Sequence, residues 1–432
     1  MTNHGSAPTP AGSALVLGAG IVGVAAALAL QREGFAVTLL DRGAPGEACS
    51  LGNAGHLGTA SVLPQAAPGI ARTVPRLLRD PQGPLAVRWG YVARNLPWFV
   101  RFLRAGERRT AERTAEMMAV LLAEVGRSYA PLLRDAGVDE LVTPSGLLHV
   151  FRTEAALHGG RWGYDLRRRL GIAVRDLSAG ETRALEPCLA GPIAGGVLLP
   201  DVATVRDPLE LTRRLVRLFE QRGGMVMQAP AQRLLIEDGQ ARGVTTASDD
   251  LIRADLVVLS AGVWSQRFAA KLGVRVPVVA ERGYHVMVQG SNAPVRQPLL
   301  LAERRVAVTP MRTGLRLTAM AEFADPDAAA DHDRAWRTIA GAEDMLPGAT
   351  ARVATRWVGS RPSTPDGRPI IGRAPRVGNV LLAYGHGHLG MTLAAVTGEL
   401  VSDLATGRAP RLDLAPFAPD RGPDRGLDRR AA

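Results

Sequence analysis

The chain has little of several things, and each shortage excludes a class of protein. It carries two cysteines, Cys49 and Cys188, far apart and in no Cys-x-x-Cys pair. Neither a disulfide framework nor a thiolate metal site is indicated, and a reducing compartment is the fitting one. Lys271 is the one lysine among 52 basic residues, which weakens any chemistry that needs a dedicated Schiff-base lysine. No apolar run reaches the roughly 18 residues of a membrane-spanning helix. The apolar stretch from Ala14 to Leu30 is interrupted by Gly18, Gly20 and Gly23. No Lys or Arg precedes Arg32, so the basic region that opens a secretory signal is missing. The expected location is the cytoplasm.

What is present is a chain of 432 residues, 46% hydrophobic, enough to bury two cores. The net charge of +11 is almost all arginine. Arginine-rich codon usage accounts for it, and attraction to an acidic surface is the functional alternative. No nucleic-acid motif accompanies the charge, so nucleic acid is not an expected partner.

The first residues, 1–10, read as a loose tail, and so does 413–432. Ala14–Leu17 reads as a buried strand, Ile21–Arg32 as a helix ending at Gly34, and Phe35–Leu40 as a second strand. Such a β-α-β unit implies a parallel sheet and an α/β fold. Residues 75–135 read as helical, with prolines at the breaks. Leu147–Phe151 reads as a strand. Asp207-Pro208 reads as the N-cap and first position of a helix that closes near Gly223-Gly224. Asp238-Gly239 signals a turn, and 278–323 reads as β-rich.

Gly18-Ala19-Gly20-Ile21-Val22-Gly23 joins the first strand to the first helix. The first glycine allows the tight turn, the second lets a pyrophosphate approach the backbone, and the third lets helix and strand pack closely. The helix start, with Gly20, Ile21 and Val22, then faces the phosphates. The second strand leads into Asp41-Arg42, about 20 residues beyond the glycines, where an acid can hold ribose hydroxyls. The reading is a dinucleotide site. Three later segments favour FAD over NAD. Ser50-Leu51-Gly52-Asn53-Ala54-Gly55-His56 is a small, glycine-rich loop able to lie along a diphosphate and reach a flavin. Asp255–Gly262 is an apolar strand ending in Ser-Ala-Gly. Gly385-His386-Gly387-His388-Leu389-Gly390-Met391-Thr392 opens a second helix whose positive end suits the flavin pyrimidine.

Together with Trp357-Val358-Gly359-Ser360-Arg361-Pro362-Ser363-Thr364-Pro365-Asp366-Gly367, these segments resemble the D-amino-acid oxidase superfamily. Within it the chain is similar to bacterial D-amino-acid dehydrogenases of the small-subunit type, over roughly residues 14–410. His56-Leu57 and His388 depart from the usual pattern. The resemblance implies a Rossmann-like FAD domain assembled from 11–70, 200–270 and 352–412. A β-sheet substrate domain would use 71–199 and 271–351. It implies FAD contacts from Gly18 to Gly23, from Asp41, Arg42, Ser50, Asn53, Ala54 and Gly55, from Ala231 and Gly262, and from Gly387 through Thr392. His56 could bond to a flavin, but non-covalent binding is the expectation for this subfamily.

Arg361 sits in a proline-bounded segment just before the second glycine-rich helix. Its planar fork can take an amino-acid carboxylate, or it can form a structural ion pair. Of Tyr284 and His285, alternation points one to the flavin and its neighbour away, and the family pattern favours Tyr284. His388 is expected at the substrate pocket. With His386 it makes no metal site, since no Cys, Asp or Glu stands nearby in sequence. Val87–Arg104 mixes Trp89, Tyr91, Trp98, Phe99 and Phe102 with four arginines. That suits a core-facing helix or a peripheral membrane contact. The expected reaction is oxidative deamination of a D-amino acid, with cyclic imino acids such as D-proline or hydroxyproline as candidates. Electrons would pass to a quinone-type acceptor, and no catalytic side chain is required beyond the flavin. The rivals are a sarcosine- or glycine-type oxidase using oxygen and a non-catalytic FAD-binding electron-transfer subunit.

Overall fold

The computed structural model describes residues 12–81 and 83–422. The opening β-α-β unit forms as Ser13–Leu17, Ile21–Arg32 and Ala36–Asp41. These strands pair in parallel, Leu15 opposite Thr38. On the other side Ser13–Leu17 pairs in parallel with Leu256–Leu259, which pairs in turn with Val380–Tyr384. Met225–Gln228 and Ile370–Arg373 complete a six-stranded sheet. All four residues of Leu256–Leu259 are buried, as a central strand covered on both faces requires. Helix Ile21–Arg32 lies against helix Gly390–Thr406, and both belong to one apolar cluster with Leu28, Leu30, Val396 and Leu400.

The second large element is a nine-stranded sheet. Its edge strand Val353–Ser363 pairs antiparallel with Val279–Val288, which pairs with Gly314–Phe323. The strands Val306–Met311, Leu299–Leu301 and Leu147–Phe151 continue it. The division expected from the sequence shifts in two places. Strand Val353–Ser363, expected on the cofactor side of a boundary at 352, is part of this sheet. Helices Arg108–Ala123 and Val125–Ala136, expected on the substrate side, bury Met118, Leu122, Tyr129 and Leu132 in the cluster around Ile21–Arg32.

Local signals predict several ends well. Asp207 accepts a hydrogen bond from Glu210 N and Pro208 opens the helix Pro208–Gln221. Asp238 and Gly239 both have positive φ in the tight turn between Ala231–Glu237 and Gln240–Thr246. Pro75 and Pro131 do not mark breaks; they lie inside Ile70–Arg79 and Val125–Ala136. The expected C-terminal tail is packed as far as it is described. Arg421 is buried, donating to both carboxylate oxygens of Asp366 and to the carbonyls of Arg368, Pro369 and Phe417. The expected tail at residues 1–10 lies outside the described residues.

Candidate active site

A cavity of ≈ 850 Å³ runs between the two sheets. One end is built by the glycine-rich turn. Gly18 has φ +107, and a Cβ there would stand 2.5 Å from Ser260 O. A Cβ on Gly23 would stand 1.9 Å from Gly18 O, so this glycine serves helix–strand packing and does not face the cavity. Gly20, Ile21 and Val22 do line it, and no side chain of its own cap residue closes the helix start. Instead Ser50 Oγ, from the loop after the acidic strand, accepts from Ile21 N at 3.0 Å. Asp41 accepts from Ala19 N at 2.7 Å and from Gly43 N at 3.0 Å, which fixes its carboxylate at the cavity wall beside Arg42. Asn53 and Ala54 line the cavity, whereas Gly55 stands behind them with its N–H on Asn53 Oδ1. Ala231, Gly262 and the run Gly387–Thr392 close the opposite wall. Helix Gly390–Thr406 also starts there without a side-chain cap.

The loop Ser50–Gly55 is held from below by a residue that no sequence motif flagged. Arg316 donates to Leu51 O at 2.9 Å and to Asn53 O, and it is buried without a carboxylate partner among the described residues. Burial pulls its pKa down to about 10. His56 also lines this region; its Nε2 lies 2.9 Å from Thr309 Oγ1, and burial pushes its pKa down to about 4.

The other end of the cavity is a charged cluster on the large sheet. Arg361 stands opposite Glu281 in the ladder, and its Nη1 lies 3.1 Å from Glu281 Oε1 and 3.2 Å from Met320 O. To reach Met320 the guanidinium crosses Gly283, where a Cβ would stand 1.9 Å from Nη2. Nε and Nη2 of Arg361 have no acceptor among the described residues. His388 Nε2 meets the same Glu281 oxygen at 2.8 Å, and Ser363 Oγ donates to the other at 2.8 Å. Burial alone would raise the Glu281 pKa; His388, Arg361 and Ser363 more than offset it and hold it down to about 2.

Two expected substrate contacts fall elsewhere. Tyr284 is on the opposite face of the sheet, where its hydroxyl donates to Glu322 Oε2 at 2.5 Å and accepts from Asp331 N. A period of two sends Glu281, Gly283 and His285 to one face and Tyr284 to the other. His285 faces the correct side but lies beneath Trp357, stacked on it at 5.0 Å. Trp357, not His285, lines the cavity. At this end of the cavity Glu281 and Trp357 were missed, as Arg316 was beneath the loop. The run Ala280-Glu281-Arg282 gives no local sign of which charge faces inward. His386, considered beside His388, lines the cavity too, but its Nε2 is engaged with Thr397 Oγ1 at 3.0 Å.

A parallel β-α-β cradle with two helix starts opening on one cavity defines a protein that binds a dinucleotide between its sheets. The chain matches the family described as DAO, FAD-dependent oxidoreductase, over residues 13–404, and it belongs to that family. It is 36% identical over 414 residues to a D-amino-acid oxidase of Bradyrhizobium diazoefficiens, covering 94% of this chain and 98% of the relative. Among solved structures it is similar in fold to a glycine oxidase from Geobacillus kaustophilus. The TM-score is 0.75 at 22% identity, over 95% of this chain and 99% of that one. An iminodiacetate oxidase from Chelativorans gives a TM-score of 0.71 at 22% identity, over 94% and 99%. FAD is therefore the dinucleotide, and the residues fit it. The glycine turn leaves room that a Cβ would fill, and Asp41 and both helix starts are in place.

Proposed function

We propose that the protein oxidises the C–N bond of a small D-amino acid, cyclic imino acids included, and passes the electrons to a quinone-type acceptor. The observation that carries the amino-acid reading is the sharing of one cavity by the cofactor cradle and Arg361, which keeps two donors unengaged. An α-carboxylate fits such a planar fork. When bound, the flavin supplies the two-electron acceptor for the C–N bond. Arg361 orients the substrate by its carboxylate, and Glu281 with Met320 O holds the guanidinium still. Trp357, Met320 and Leu389 give the pocket apolar walls that shed water. The uncapped start of Gly390–Thr406 places a positive dipole end at the wall where negative charge would grow on the cofactor.

The acceptor reading rests on exposed apolar residues at the cavity's outer side: Trp89 at 69% exposure, with Leu96 and Leu103. Tyr91 and Trp98 from the same stretch are buried, so only part of that aromatic cluster is available to a membrane. No described helix is long and apolar enough to cross one. The competing reading is an oxidase, because the relative from Bradyrhizobium carries that name. Anaerobic addition of D- and L-amino acids, glycine and sarcosine tests the substrate by bleaching of the flavin. Reoxidation by a quinone analogue against air then tests the acceptor. No bleaching by any D-amino acid overturns the first reading; rapid peroxide formation in air overturns the second.

A further inference from the structure

We propose that His388, oriented by Glu281, is the base that takes the proton from the substrate's ammonium group. This rests on the amino-acid reading of the same site. An α-amino acid arrives as a zwitterion, and its nitrogen must lose a proton before its lone pair can help expel hydride from Cα. An acceptor next to the carboxylate anchor lets the zwitterion react as it arrives, so a side chain joins the flavin where the sequence alone required none. His388 is in that place. Its Nε2 and Arg361 Nη1 share one oxygen of Glu281, at 2.8 and 3.1 Å, so anchor and base lie as close as two bonds to one atom allow. With Nε2–H donating to Glu281, the lone pair falls on Nδ1, which has no partner among the described residues. The side chain is 44% exposed and lines the cavity. Glu281 itself is poorly placed as the base. It is 1% exposed, and both oxygens are occupied by His388, Arg361 and Ser363.

The proton ledger is simple. One N–H bond of the ammonium breaks, one Nδ1–H bond forms, and the imidazolium is balanced by the Glu281 carboxylate across Nε2. No electrons move in this step. The charged groups around His388 are Glu281 from strand Val279–Val288 and Arg361 from strand Val353–Ser363. His386, from its own turn, is directed to Thr397. The first turn of Gly390–Thr406 and Val22 of the first helix bring no charge.

The test uses the FAD-bound protein and follows flavin reduction by D-alanine and D-proline, without oxygen, across pH. In His388→Gln the limiting reduction rate falls by about 100-fold at neutral pH, within the usual range for a lost general base. The gap to wild type closes as pH rises past the substrate's own ammonium pKa, where free amine arrives already deprotonated. Glu281→Gln shows the same closing gap. Benzoate, a carboxylate with no amine, perturbs the flavin spectrum of His388→Gln at unchanged concentration, which shows that fold and anchor are intact. A rate loss equal at every pH makes His388 a structural residue and overturns the proposal, as does no loss. Absence of bleaching in wild type by either amino acid and by a wider D-amino-acid panel defeats the amino-acid reading instead.

Discussion

Arg361 reaches Met320 O by passing over Gly283, whose missing side chain leaves the guanidinium its room. The anchor of the candidate site is thus set by a glycine on the adjacent strand as much as by the arginine. This juxtaposition gives two separable tests.

Arg361→Lys keeps a positive charge but loses the planar fork. It also lacks the reach to serve Glu281, Met320 O and a carboxylate together. We expect kcat/KM to drop by about 2–4 kcal/mol in free-energy terms, with flavin content unchanged. Near-normal kcat/KM in the variant would remove Arg361 from the anchor role.

Gly283→Ala places a methyl where Nη2 now lies, at 1.9 Å. The flexible guanidinium has to move, and the strand does not. The expected result is an intact thermal midpoint and bound FAD, with KM raised several-fold. A lowered midpoint with unchanged KM would show that the backbone yields and the arginine stays.

Asp366 concentrates a stability effect. Burial would raise its pKa, but Arg421 and Arg368 together hold it well below its ordinary 3.8. Its folded pKa being depressed, the stabilisation is complete above that ordinary value and fades as pH falls below it. Glu281, held to about 2 from 4.5, adds to the same acid limb. Asp366→Asn strips the charge from a buried arginine pair, an effect on the order of 3–5 kcal/mol. Urea unfolding at pH 7 should show that loss, and the variant's stability should fall less steeply than wild type's between pH 4 and 3. Parallel acid curves would place the effect elsewhere.

Arg72, Arg76 and Arg79 are exposed on helix Ile70–Arg79, and Arg101 and Arg104 on helix Leu96–Ala105, which also carries the exposed Leu96 and Leu103. Each arginine near an acidic bilayer contributes roughly 1 kcal/mol. Vesicles rich in phosphatidylserine should retain the protein at low salt and release it at high salt. Trp89→Ala should weaken retention at every salt concentration. Equal recovery with neutral and acidic vesicles would discard a membrane role for this face.

The cofactor half was readable because its signals are local. The turn Gly18–Gly23, the helix Ile21–Arg32 and the cap at Asp207 each depend on neighbours within a few residues. The substrate half was not, because its meaning is made by strand pairing. Glu281 acquires its role from Arg361, 80 positions away, and from His388, 107 away. Whether Tyr284 or its neighbours face the flavin turns on a parity of one residue, which alternation alone leaves open. The edge strand Val353–Ser363 was assigned to the cofactor region by the family resemblance, which put 352–412 there. Its backbone bonds go to Val279–Val288 instead.

The central sheet has an implication for the order in which the protein is made. Ser13–Leu17 is synthesised long before its inner neighbour Leu256–Leu259, and longer still before Val380–Tyr384. The first helix waits longer, since Gly390–Thr406, which covers it, follows more than 350 residues later. Contacts this distant in sequence are slow to form, and the exposed strand edge invites wrong pairing until they do. A nascent chain released before residue 380 therefore carries the nucleotide fingerprint but has no finished cradle. Translation must pass the helix Gly390–Thr406 before the flavin has anywhere to bind.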